Sequence, residues 1–564
     1  MKRNQTRTVF SLREGIALVV VLIAITLPRI LALGHFVSPD ENLWLYRSAN
    51  FYFALGQRDF AATYQQEHPG VTVMWVGTAA FLIRYPGYRG SGLGQVETDQ
   101  FHYYMNNFSE VTPLEILITA RLILLIGHIL VLTLSYWFAR DLVGTIPALF
   151  GFLLLAFDPF HIYLTRILHL DGLSSNLILL SLLSFMSYQL RERVSSLIVS
   201  GAAAGLAWLT KSPSLFMIPI TGMLVLWVLW KRLKAPGPER LWRRLWAVAW
   251  PVMVWAGIAV LVFVILWPAM WVTPVHAISQ VFSQAQKYAE RGHFSPVYYN
   301  GAVFEDGDIG PTYVMYYLHV FLWRSTPLVI LGVLLGILGC LFRIGPFRQQ
   351  ATRYVFSGLT VVIVVFYVGL TIGAKKFDRY FLPALVPADV IAGLGWAAFF
   401  SWFLEFRWNK VVRIIPAMGL AAVVLLQLTL ALREYPYYST YYNPLLGGPR
   451  KAMDIMQIGS GEGIEQAARY LNEKSMAEHL HVIAWYSRGS FSYFFKGHTR
   501  WMGSNSDMSD GAWNRFLTSD YAVIYIIQWQ RHIPQPILDY VSERTPEYVV
   551  RINGLDYVQI YKIR

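Results

Sequence analysis

Apolar residues in this chain fall in long runs separated by short polar stretches, a pattern set by a bilayer rather than by one wet and one dry face. A spanning helix needs about 20 mostly apolar residues. Such runs cover 14–34, 114–138, 142–157, 171–190, 196–210, 213–230, 246–267, 326–343, 354–372, 380–403 and 411–433. They predict about eleven transmembrane helices, with 142–157 and 196–210 the shortest. A further apolar piece, 71–84, is too short to span and reads as a helix lying in or dipping into the interface. After residue 433 the pattern changes. "GSGEGIEQAARYLNEK" spaces its apolar residues as a helix does, whereas "HVIAWY", "YAVIYII" and "YVQIYKI" are short β-rich runs. The predicted fold class is a polytopic α-helical membrane domain, 1–433, followed by a small α/β domain, 434–564.

Composition sharpens this picture. Hydrophobic residues make up 55% of the 564 and charged residues only 14%, against about 25% charged in a soluble domain. The formal net charge of +13 does not point to nucleic acid, because the cations cluster in short loops between apolar runs. Lys2, Arg3, Arg7 and Arg13 precede the first run. Arg140, Arg191, Arg193, the stretch "KRLKAPGPERLWRR", Arg343, Arg348, Arg353, Arg407, Lys410 and Arg413 occupy alternate loops after it. Positive loops stay inside, so the expected place is the inner or plasma membrane with a cytoplasmic N-terminus. The longer segments 35–113 and 268–325 and the C-terminal domain then face outward. Met1 to Leu33 lacks a small-residue cleavage site and reads as a retained first span. The only cysteine, Cys340, lies in an apolar run, which excludes a disulfide framework or a cysteine-built metal site.

Candidate chemistry gathers on the outward side. In "LGHFVSPDENLW", Ser38 and Glu41 have capping-box spacing with Pro39 at the first helical position. That ordinary role uses Glu41 and leaves the carboxylate of Asp40 unclaimed, on one face with Leu43, Trp44 and Arg47. His68 precedes a Pro-Gly break, and Arg166 and Asp171 mark the outer start of a span. Lys211 sits at an outward turn, Arg324 at the outer end of a span, and Lys375, Lys376, Arg379 and Tyr380 at the mouth of another. Each cation alone fits a side chain reaching for the headgroups, and His68 and His169 alone fit hydrogen-bonded structural residues. Together, cations kept on the outer side against the positive-inside bias suit a bound phosphate. "VFEDGDIG", with Glu305, Asp306 and Asp308, lacks the ligand pattern of a calcium loop and reads as a solvated turn.

The order of "PDE", "EHPG", "RILHLDG", "GLAWLTKSP" and "KKFDRYFLPALVP" resembles the GT-C glycosyltransferases, specifically the protein O-mannosyltransferase and aminoarabinose-transferase branch. The likeness spans about residues 10–433, and "YYNPLLGGPRKA" resembles a junction of bacterial members. The tail from 460 onward resembles their outward domain. The resemblance implies transfer of a sugar from a polyprenyl- or dolichyl-phosphate carrier to an acceptor hydroxyl on the outer face. It implies Asp40 as the catalytic carboxylate with Glu41 beside it, His68 near the donor phosphate or acceptor, and Arg166 and Asp171 in the second outer-loop motif. This chain has His-Pro-Gly where many relatives have His-Pro-Pro or Lys-Pro-Pro.

The residues fit that chemistry. An ionised Asp40 can accept the proton of an attacking hydroxyl late in an oxocarbenium-like displacement, so inversion is expected. The departing lipid phosphate needs cations, for which Arg324, Lys375, Lys376 and Arg379 are candidates. No cofactor is expected; a divalent metal is conceivable on Asp40, Glu41 and Asp171, and the resemblance argues against it. The acceptor, a lipid, glycan or protein, is left open. A flippase or transporter of lipid-linked sugars, a polysaccharide ligase or polymerase, and an inactive scaffold are the alternatives.

Overall fold

The computed structural model describes residues 11–66, 68–234, 241–292, 295–310, 313–405, 415–505 and 508–564. Lys2, Arg3, Arg7, Arg407, Lys410, Arg413, Glu67 of the "EHPG" motif and the "APGPE" turn lie outside the described residues.

Eight helices among the described residues are long and apolar enough to cross a membrane: Pro113–Val143, Leu170–Arg191, Ser212–Lys234, Leu241–Leu266, Pro327–Arg348, Gln350–Ile372, Asp378–Glu405 and Ile415–Arg433. The other three expected spans fall short of that set for visible reasons. The first is a helix, Leu12–Ile30, but carries Arg13, Glu14 and Arg29 within its 19 residues. The run at 142–157 ends at Ala156, and Pro159–Arg166 continues after a bend of 67°. Asp158 caps the second piece, its Oδ1 accepting from the His161 N–H at 2.7 Å, with Pro159 at the first helical position. The third, Val194–Thr210, has 17 residues.

Leu170–Arg191 and Asp378–Glu405 form the centre of the bundle, their apolar windows wholly buried, whereas the windows of Leu241–Leu266 and Ile415–Arg433 are only 22% buried. Small residues let the central helices approach. A Cβ on Gly395 would lie 1.9 Å from the Gly332 carbonyl oxygen, and one on Gly393 would meet the Gly151 backbone at 2.1 Å, the close backbone contact typical of membrane helices. On the expected outer side, Pro39–Gln57 packs against Val71–Arg84, which packs in turn on Pro113–Val143. The run at 71–84 is thus a helix docked on the bundle.

The segment 268–325 carries the helices Pro274–Glu290 and Tyr316–Arg324 and a hairpin, β1 (Val297–Tyr299) and β2 (Ala302–Phe304). Asp306 and Asp308 beyond the hairpin accept backbone N–H bonds from Asp308 and Gly310, as a turn does.

The C-terminal sheet has five strands: β3 (His481–Ala484), β4 (His498–Trp501), β5 (Tyr521–Tyr525), β6 (Tyr548–Ile552) and β7 (Leu555–Lys562). Their order is β4-β3-β5-β7-β6, parallel between β3 and its two neighbours and antiparallel elsewhere. β3, β5 and β7 coincide with the three β-rich runs. β4 and β6 are the edge strands, half exposed and interrupted by charge, and their sequences show no matching apolar run.

Candidate active site

The site is assembled where the helix Pro39–Gln57 begins. Ser38 is extended, Pro39 starts the helix, and the Ser38 N–H donates to Glu41 Oε2 at 2.9 Å. Glu41 is fully buried and completely engaged. Its Oε1 accepts from Arg121 Nε at 2.7 Å and from the Leu168 N–H at 2.7 Å, and Arg121 also holds its other oxygen. Arg121, in the middle of an apolar helix, further donates to the carbonyls of Leu33 and Phe36. Glu41 therefore fixes the entry of the helix and offers no lone pair to a ligand.

Asp40, one residue earlier, turns the other way. Its side chain is 28% exposed and pairs with Arg379 at 2.8 Å and with His169 Nε2 at 3.2 Å. The other nitrogen of His169 lies 3.1 Å from Asp171 Oδ2; Asp171 is also bonded by Lys211 and approached by Arg379 at 3.6 Å. A ladder of alternating charge thus runs Asp40, His169 and Arg379, Asp171, Lys211. Burial pushes the Asp40 carboxyl up, but Arg379 and His169 outweigh it and hold its pKa well below the usual range. Burial pulls His169 down, and its bonds to Asp171 and Asp40 more than compensate, so its pKa is raised.

The ladder ends at a cavity of about 260 Å³. Lys211, His68, Lys375 and Tyr380 supply its polar groups, and Leu215, Phe216 and Leu370 line its apolar side. Lys211 Nζ lies 4.3 Å from the Tyr380 ring centre. His68 Nδ1 is 2.9 Å from Ser212 Oγ. Burial, with Lys211 and Lys375 nearby, pushes the His68 pKa down to about 3, so the ring is neutral. The turn before the next helix is made by Gly70, which has φ +59° and would place a Cβ 2.1 Å from Trp44. The left-handed backbone and the absent side chain together let Trp44 close on this loop.

Three expected ligand-binding cations lie elsewhere. Arg166 donates to the carbonyls of Leu31, Ala32 and Pro436 and sits 5.2 Å from the Tyr438 ring. Arg324 pairs with Asp378 at 2.6 Å and donates to the carbonyls of Ser439 and Tyr441. Lys376 donates to the carbonyls of Thr371 at 3.0 Å and Gly373 at 2.6 Å, at the C-terminus of Gln350–Ile372. Long-range carbonyl acceptors, absent from any local motif, occupy Arg166 and Arg324, and carbonyls at the end of the preceding helix occupy Lys376. His169 joins the two acids, although the sequence alone marked it as an ordinary histidine. The available signal was its place two residues before Asp171, at the start of the helix, where its Nδ1 lies 3.3 Å from the Asp171 backbone nitrogen. Among the described residues no group of three or more His, Cys, Asp or Glu side chains is arranged to hold a metal ion.

A family model described as dolichyl-phosphate-mannose-protein mannosyltransferase matches residues 114–267. No curated protein matches the chain. Among solved structures, the Saccharomyces cerevisiae protein O-mannosyltransferase Pmt1–Pmt2 complex bound to the sugar donor overlays with a TM-score of 0.55. That match is 12% identical and covers 79% of this chain and 93% of the other. The two chains share a fold. ArnT from Cupriavidus metallidurans bound to undecaprenyl phosphate gives a TM-score of 0.46 at 15% identity, over 97% of this chain and 96% of that one. The Archaeoglobus fulgidus oligosaccharyltransferase in complex with Zn and sulfate gives 0.49 at 11% identity, over 97% and 72%. The family-model match begins in the helix that supplies Arg121 and takes in Arg166, His169, Asp171 and Lys211.

Proposed function

We propose that this protein is an integral-membrane glycosyltransferase that moves a sugar from a polyprenyl-phosphate carrier to an acceptor hydroxyl on the outer face. The observation that carries the reading is the ladder from the partly exposed Asp40 to a cavity that combines lysines with apolar walls. A phosphate-headed lipid needs both features at once, cations for the headgroup and an apolar border for the chain.

In this mechanism the acceptor oxygen attacks the anomeric carbon as the bond from that carbon to the phosphate oxygen breaks. The phosphate leaves with the bonding electrons, held by Lys375 and Lys211, and the acceptor proton passes to Asp40. A carboxylate with so low a pKa takes that proton only late, when the new C–O bond has made the hydroxyl strongly acidic. Arg379 and His169 hold Asp40 in place. Direct displacement with one base inverts the anomeric centre. Asp40 and Asp171 already face Arg379, His169 and Lys211, and Glu41 faces Arg121, so these acids serve the reaction without a divalent metal. The matching position of the protein is the inner or plasma membrane, with the N-terminus cytoplasmic and the C-terminal domain outside.

Donor turnover by the purified protein and by Asp40→Asn tests the assignment. A transferase loses at least about a hundredfold in rate with that change. Unchanged turnover removes Asp40 as the base, and lipid translocation without sugar transfer favours a transporter.

A further inference from the structure

A second cavity, about 300 Å³, opens where the start of the Pro39–Gln57 helix meets the C-terminal domain. Asp40 and Asn42 stand on one side; Trp485, Tyr486 and Arg488, after β3, and Trp501, at the end of β4, stand on the other. The two sides are closely fitted. Gly489 has φ +77°, and a Cβ there would lie 2.7 Å from the Cβ of Asn42. Asn42 Oδ1 accepts from the Tyr493 hydroxyl at 3.1 Å and lies 2.6 Å from His102 Nε2.

The charges in this cleft are matched within the chain. Arg488 pairs with Asp99 at 2.5 Å, and Asp40 with Arg379 and His169. The cleft therefore offers aromatic faces and small polar groups rather than net charge. Trp501 is 44% exposed, Trp485 is half-buried, and buried Arg531 lies 5.9 Å from the Trp485 ring centre. Electron-rich indole faces attract the weakly positive C–H side of a sugar ring, while its hydroxyls need neutral donors and acceptors. A cavity of this size suits a small ligand rather than a length of polypeptide.

We propose that this cleft is the acceptor subsite and that it takes an uncharged saccharide, with a hydroxyl directed at the exposed edge of Asp40. The inference rests on the glycosyltransferase reading and adds the acceptor's chemical class. A phosphorylated or sulfated acceptor would have to break the Arg488–Asp99 pair to find a cation.

Binding of mannotriose, maltotriose and tri-N-acetylglucosamine to the full-length protein in nanodiscs, followed by saturation-transfer NMR and calorimetry, tests this. The parallel probes are a phosphorylated trisaccharide and a serine-containing peptide. At least one neutral trisaccharide binds, and Trp501→Ala and Trp485→Ala each weaken it about tenfold or more. Thr98 also lines the cleft, and Thr98→Trp, which fills it, abolishes binding even if a variant at Trp485 or Trp501 fails to fold. The proposal is overturned if no neutral trisaccharide binds, if only the peptide or the phosphorylated sugar binds, or if Thr98→Trp leaves binding intact. Undecaprenyl phosphate binding, measured on the same samples, keeps the two readings apart: its absence with saccharide binding retained counts against the donor assignment alone.

Discussion

Asp378 and Arg379 are neighbours in sequence, and each forms an arginine–carboxylate pair, yet the pairs differ in kind. Arg324 and Asp378 are 4% and 10% exposed. Arg324 also donates to two carbonyls and the Tyr442 hydroxyl, so its donor capacity is spent inside the protein. Arg379 and Asp40 are 23% and 28% exposed, and Asp40 shares its charge with His169. One pair ties Tyr316–Arg324 to the chain around Ser439; the other leaves an oxygen edge open to a cleft. Saturation of partners, more than charge or position near a membrane surface, separates this fastening from the proposed reaction centre.

Four measurements test that contrast. The largest effect is expected at the closed pair: Arg324→Ala strands Asp378 and lowers stability by about 3–5 kcal/mol, read as a collapse of the melting temperature and of the yield of folded protein. Asp40→Asn should lower the melting temperature less than Arg324→Ala, because Arg379 keeps Asp171 at 3.6 Å, and lose at least about a hundredfold in transfer rate; if it unfolds the protein to the same extent, the contrast fails. Lys375→Ala should weaken undecaprenyl phosphate binding about tenfold, the scale of one charged hydrogen bond, with transfer at saturating donor affected less. The smallest effect concerns pH. Because the pKa of His169 is raised, its stabilising charge is fully present below the ordinary value near 6.5 and is lost as pH rises through its folded value. Wild-type melting should therefore decline on the alkaline side of 6.5, and His169→Gln should flatten that slope. Asp40, held well below its ordinary value, adds no slope there.

Sequence reading reached the parts of this molecule that local rules govern. The apolar runs mark the helices, and Ser38, Pro39 and Glu41 mark the start of the one that bears Asp40. The Gly70 turn stood out as a departure from the related motif, and its reason, the ring of Trp44, is a contact across 26 residues. Contacts at longer range were not legible. Arg166 and Arg324 look like phosphate ligands until their carbonyl acceptors, up to 270 residues away, are known. Arg121, a cation inside an apolar helix, does carry a signal in the sequence, since such residues in membranes are paired or functional, and its partner is Glu41. The aromatic cleft could not be foreseen, because nothing in the spacing of Trp485 or Trp501 says which helix their domain sits on.

The fit of Gly489 against Asn42 and of Gly461 against the Val37 carbonyl oxygen, where a Cβ would come within 2.9 Å, bears on how such a protein can be rebuilt. A chain trimmed after residue 433 would keep the eight described membrane-length helices and lose the tryptophan side of the cleft beside Asp40. On the proposed reading, a foreign soluble module grafted onto the same helices would change the acceptor side and leave the lysine-lined cavity in place. The newcomer would have to present bare backbone at the same two places.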